Sequence, residues 1–168
     1  ENTSVAVVGF TCEAVVLPIR AANLHPIYID IEKDTYSMDY DDLLRKLLPS
    51  TKVIILQHTF GLVPKYRDKV LQLGKGKNLF VIEDLAHGFD PGFWQSQVLS
   101  DNQALLLSFG RSKALSSVFG GALVTIDKKL SSRLTDIEAK LLYPSFMTIT
   151  QLLCYKPLSV LIKNTYNI

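Results

Sequence analysis

Two positions in this sequence combine a reactive side chain with a setting that could use it. Asp84 closes the apolar run Leu79-Phe80-Val81-Ile82-Glu83 and is followed by Leu85-Ala86-His87-Gly88. A carboxylate at the end of a buried strand can face a crevice, where loss of water penalises its charge unless a cation lies beside it. Such an acid can equally cap the helix that follows. The second position is the turn Ser108-Phe109-Gly110-Arg111-Ser112-Lys113. Hydroxyl and backbone donors in a turn of this kind suit a phosphate, and a lysine near a carbonyl can form a Schiff base once its amine is neutral. Read alone, Lys113 is also an ordinary solvated lysine. Gly120-Gly121, shortly afterwards, points to an unusual backbone or a close approach of chains. Gln57-His58 marks a third polar strand end, where the histidine also reads as a core or capping residue.

The elements that must position these residues are legible in the hydrophobic pattern. Strands are predicted at residues 4–8, 26–30, 52–56, 79–82, 104–107 and 121–126. Helices are predicted at 13–23, 39–48, 66–73, 128–142 and about 145–164, with Asp127 as a cap. The stretch 88–102, with its Gly, Pro, Asp and Ser, reads as loop. Alternation of β-branched apolar strands with amphipathic segments predicts an α/β domain with a mostly parallel, mixed sheet flanked by helices. In such sheets ligands bind at the carboxyl ends of the strands, which is where Gln57, Asp84 and Ser108 fall.

The chain has 168 residues, 48% hydrophobic and 20% charged, the balance of a folded domain with a sizeable core. A net charge of +2 gives no argument for nucleic acid or an anionic membrane surface. Cys12 and Cys154, far apart, form neither a disulfide framework nor a metal site, and a reducing cytoplasm is the default expectation. Polar first residues without a basic run do not read as a signal peptide. The lack of an initiator Met fits a fragment, a processed chain or a trimmed one. The apolar stretch from Leu141 to Ile162 is interrupted by Pro144, Gln151, Lys156 and Pro157. A membrane span needs about 20 mostly apolar residues, so none is predicted.

In their order and spacing, three motifs resemble the DegT/DnrJ/EryC1/StrS aminotransferases. These are Ile82-Glu83-Asp84-x-Ala86-His87, Ser108-Phe109-x-x-Ser112-Lys113 and Gly120-Gly121-Ala122-x-Val124-Thr125. Gly9-Phe10-Thr11, Pro26-Ile27-Tyr28-Ile29-Asp30-Ile31, Thr35-Tyr36-Ser37-Met38-Asp39 and Gln57-His58-Thr59-Phe60-Gly61 fit the same pattern, so the resemblance covers about residues 4–140. It implies the large domain of an aspartate-aminotransferase-like (fold type I) enzyme, truncated, with residues 1–143 as the cofactor-binding segment. Residues 144–168 would be an apolar helical segment leading toward a small domain. It implies pyridoxal 5'-phosphate as cofactor and a nucleotide-linked keto-sugar as substrate, with glutamate or glutamine as amino donor. It also implies a homodimer in the full-length form and an antiparallel strand at or near the sheet edge for residues 121–126.

The resemblance assigns roles residue by residue. Lys113 would be the Schiff-base lysine and proton shuttle, and Asp84 would hold the pyridine nitrogen protonated. Ala86 would pack on the ring, His87 would contact it near the phenolic oxygen, Ser108 would bind the phosphate, and Thr11 would line the cofactor site. His58 would lie near the same crevice.

The pattern also departs from the family. Cys12 stands where an aromatic residue commonly stacks on the ring, Arg111 stands where proline is frequent, and the stretch from Lys113 to Gly120 is one residue short. The family's Gly-Thr phosphate turn would precede this chain and its small domain would follow it. Some relatives use the cofactor for dehydration and carry histidine in place of the lysine; Lys113 argues against that reading. A truncated, catalytically silent remnant serving as an interaction module is the alternative from another class. A plain nucleotide-binding domain lacks its glycine-rich fingerprint here.

Overall fold

The computed structural model describes residues 3–113 and 115–166, and of residues 156 and 164–166 the backbone alone. Residue 114, in the shortened stretch, and residues 167–168, in the C-terminal segment, lie outside the described residues.

Six strands form one sheet: β1 (Ser4–Val8), β2 (His25–Ile29), β3 (Thr51–Gln57), β4 (Phe80–Asp84), β5 (Gln103–Ser108) and β6 (Gly121–Thr125). Their order across the sheet is β2-β1-β3-β4-β5-β6. The first five run parallel, and β6 returns antiparallel against β5 at the edge, as the resemblance implied. The helices are α1 (Glu13–Ala21), α2 (Tyr40–Lys46), α3 (Arg67–Gly76), α4 (Pro91–Gln95), α5 (Lys128–Glu138) and α6 (Phe146–Tyr166). Among the described residues no helix is long and apolar enough to cross a membrane.

Local chemistry explains the boundaries. The Asp39 side chain accepts from Asp42 N at 2.8 Å to start α2, whose last turn carries Arg45 and Lys46 against the helix dipole. Asp127 caps α5 by accepting from the N–H groups of Lys129 and Leu130. The predicted loop at 88–102 contains the short helix α4, for which Asp90 supplies the cap and Pro91 the first turn. A turn-rich composition hid it, because the same Asp-Pro-Gly residues also start helices. α5 ends at Glu138, four residues before the predicted end at Leu142.

Period-2 alternation divides the core between the two sheet faces. Ala6, Ile29, Ile54, Leu56 and Val81 pack with Met38, Leu43 and Val70 on the side of α2 and α3. Val5 and Val7 pack with Ile19 of α1 on the other side, with Val53 and Ile55 beside them. On that second side a cleft of about 390 Å³ runs between α5 and the lower part of the sheet. Phe80, Ile82, Ala104 and Leu123 line it.

Candidate active site

Strand register decides which polar side chains share a face. Gln57 of β3 pairs with Asp84 of β4, and Asp84 pairs with Leu106 of β5. Ser108 lies two residues beyond Leu106, so Gln57, Asp84 and Ser108 all project to the α1 face. Thr11, in the loop after β1, joins them by donating its hydroxyl to Gln57 Oε1 at 2.6 Å. Gln57 Nε2 in turn donates to Phe10 O and to Thr59 Oγ1.

Asp84 is 4% exposed. Its Oδ1 accepts the Ala86 N–H at 2.9 Å, and its backbone oxygen accepts the His58 N–H. The turn after β5 brings Lys113 back over Ser108. A Cβ built on Gly110 would lie 3.7 Å from both Lys113 Cγ and Ser108 Oγ. The Lys113 N–H bonds Gly110 O, which closes this turn, and the Arg111 guanidinium sits 4.2 Å over the Tyr155 ring of α6. His87 Nδ1 accepts the Phe60 N–H at 3.1 Å. The loops after β3 and β4 touch where Gly61 and Gly88 meet backbone to backbone, both at positive φ.

Among the described residues, Asp84 Oδ2, Ser108 Oγ and Lys113 Nζ have no hydrogen-bond or ion-pair partner. A carboxylate oxygen and a hydroxyl on one face of the sheet, with a lysine in the turn beside that hydroxyl, suit a group that brings a cation, a phosphate and an aldehyde. Pyridoxal phosphate carries all three, so the donor set fits it.

The opposite face of the same strand ends holds a buried ion network that the sequence did not reveal. Glu83, fully buried, accepts from His58 Nε2 at 2.8 Å and from Arg67 Nε and Nη2 at 2.7 and 2.9 Å. Gln103 Nε2 also donates to it. Arg67 stacks under Phe93 and Trp94 of α4. Burial pushes the Glu83 carboxyl up, but the His58 and Arg67 hydrogen bonds and the Arg67 charge outweigh it and hold the group below its ordinary value. The His58 ring therefore faces away from the crevice, which corrects the expectation that placed it there. Its role is to grip β4 twice, by ring to Glu83 and by N–H to Asp84. The only signal in sequence was the acid before Asp84, which period 2 turns toward the α3 core.

Residues 1–142 match the sequence pattern described as the DegT/DnrJ/EryC1/StrS aminotransferase family. The chain belongs to this family. Members of the DegT family are pyridoxal-phosphate-dependent enzymes. The chain is 32% identical over 133 residues to GDP-perosamine synthase of Escherichia coli O157:H7, covering 79% of itself and 36% of that protein. It is 31% identical over 109 residues to the spore coat polysaccharide biosynthesis protein SpsC of Bacillus subtilis, covering 65% of itself and 28% of that protein. Among solved structures it is similar to a sugar aminotransferase from Micromonospora echinospora, at 28% identity and a TM-score of 0.63, covering 79% of this chain and 37% of that one. It is also similar to ntda from Bacillus subtilis with bound cofactor PMP, at 25% identity and a TM-score of 0.66 over 77% of this chain and 29% of that one. The chain thus spans about a third of the length of these DegT-family relatives.

Proposed function

We propose that this chain is the cofactor-binding core of a pyridoxal-phosphate-dependent aminotransferase that aminates a nucleotide-linked keto-sugar. The observation that carries the reading is the set of three polar atoms without a partner among the described residues, Asp84 Oδ2, Ser108 Oγ and Lys113 Nζ, at the carboxyl ends of β4 and β5 and in the turn after β5. When bound, the cofactor supplies an electron-accepting ring that eases proton removal from the carbon bearing the transferred amine. Lys113 is the residue that would hold it covalently and carry the proton. Asp84 would keep the pyridine nitrogen charged, and its Oδ1–Ala86 bond leaves Oδ2 for that contact. Ser108 would bind the phosphate, Ala86 would cover the ring, His87 would donate to its oxygen, and Thr11 holds Gln57 at the rim.

The substrate class follows the relatives' names. One makes GDP-perosamine, and another is a UDP-2-acetamido-2-deoxy-3-oxo-D-glucuronate aminotransferase from Pseudomonas aeruginosa. L-glutamine is named as donor for a scyllo-inosose aminotransferase from Streptomyces griseus, which supports glutamine or glutamate here. A cytoplasmic homodimer is part of the same proposal.

A second reading, a silent remnant acting as an interaction module, is favoured by the apolar surface near α6, where Leu142 is 95% and Phe146 84% exposed. Absorbance titration with pyridoxal phosphate separates the two. The enzyme reading predicts a new visible band, kept in Asp84→Asn with weaker catalysis and absent from Lys113→Ala. A featureless titration, or a band unchanged in Lys113→Ala, favours the silent module.

A further inference from the structure

We infer that Phe60, braced by Phe10 and Tyr36, is a positioning residue that fixes His87 as a donor through Nε2–H. The Phe60 N–H donates to His87 Nδ1 at 3.1 Å. A neutral imidazole that accepts at Nδ1 carries its proton on Nε2, which is thereby left as a hydrogen-bond donor. The ring plane is fixed as well, since Phe60 stacks on His87 with centroids 6.0 Å apart and planes 18° apart.

Phe60 is itself held in place. It adopts φ 57°, and Tyr36 adopts φ 54°, left-handed conformations that bulky residues avoid. Strain of this kind persists only where the surroundings over-determine it, and it gathers at functional sites. The surroundings here are visible. Phe10 and Tyr36 meet the Phe60 ring edge-on at 6.2 and 6.0 Å. The Thr59 hydroxyl donates to Tyr36 O at 3.0 Å, and Gln57 Nε2 donates to Phe10 O. Three loops that follow different strands are thus tied around one ring, although that ring is 62% exposed. An exposed aromatic in a strained backbone adds little to the core; its contact with His87 gives the strain a purpose.

The inference rests on the cofactor reading only for what His87 donates to, an electron-rich ring oxygen. The proton's position belongs to the chain alone. Nitrogen-15 NMR of the cofactor-free chain at neutral pH, with His87 assigned, reads the tautomer directly. Nε2–H is expected, and it should give way to a mixture in Phe60→Ala, which keeps the strained φ but has no ring to hold it. Nδ1–H in the parent chain would overturn the assignment, and an unchanged tautomer in Phe60→Ala would overturn the part given to the rings. A titration with pyridoxal phosphate supplies the second readout. His87→Gln, which offers Phe60 an acceptor and the ligand a donor, should bind about as the parent does. His87→Phe keeps only the stack and should bind about tenfold more weakly. Equal binding by both variants contradicts a donor role. Nε2–H in a parent chain that binds no cofactor would refute the proposed function and leave the tautomer assignment standing.

Discussion

At the scale of single residues, Glu83 and Asp84 show how one strand end serves two purposes. Consecutive positions on β4 send one carboxylate to the α3 core and the other to the α1 face. Glu83 is charged, buried and fully engaged by His58, Arg67 and Gln103, whereas Asp84 keeps one oxygen open among the described residues. Truncating Glu83 leaves the buried Arg67 guanidinium with only Gln97 and the exposed Asp68, and breaking such a buried pair typically costs about 3–5 kcal/mol. Glu83→Ala should therefore lower the urea midpoint strongly, and an unaltered midpoint would show that the network adds nothing. Asp84→Asn should leave that midpoint nearly unchanged, since the amide oxygen can still accept from Ala86. The identity of Asp84, Ser108 and Lys113 was legible in sequence because strand ends and motif spacing mark them. The Arg67–Glu83 pairing was not, because sixteen residues separate its members and only the packing of α3 on β4 joins them.

At the scale of elements, the β5–β6 hairpin sets the position of Lys113. The turn between these strands is closed by Phe109 N–H to Gly120 O and Ser117 N–H to Phe109 O. β6 approaches β5 so closely at Gly121 that an added Cβ would lie 2.4 Å from Leu107 O, a backbone atom that cannot rotate away. Gly121→Ala should cost about 1–3 kcal/mol, as overpacking does, and should loosen the Lys113 turn. Amide exchange across 105–110 and 121–125 would report it, and unchanged protection there would contradict this account of the glycine. The glycine pair was readable as a place of close approach, although which chain approached was not. The strands were legible to within about two residues because short apolar runs bounded by polar turn residues have few other uses. Helix α4 was not, because five residues are too few to show a period.

At the scale of the whole molecule, acid should unfold the chain earlier than its apolar core would suggest. Burial alone raises the carboxyls of Glu32, Asp42 and Glu83, yet hydrogen bonds bring each below its ordinary value. For Glu32 these come from the Thr35 hydroxyl and nearby backbone N–H groups, and for Asp42 from Lys46 and the Asp30 N–H, with Arg45 adding charge. The unfolded chain then binds more protons than the folded one. The stabilisation is complete above the ordinary carboxyl range, about pH 4–4.5, and is lost as pH falls through the folded values. Thermal melts should show Tm dropping below that range and flat above it, with the drop reduced in Glu83→Gln; a Tm insensitive to pH between 3 and 6, to take about the relevant span, would contradict it. The proposed cofactor site depends above all on Lys113. The most direct test is to mix the chain with pyridoxal phosphate, reduce with borohydride and map the modified peptide. The prediction is a single reduced adduct on Lys113, abolished in Lys113→Ala. An adduct on Lys128 or Lys129 with Lys113 unmodified would contradict the central claim.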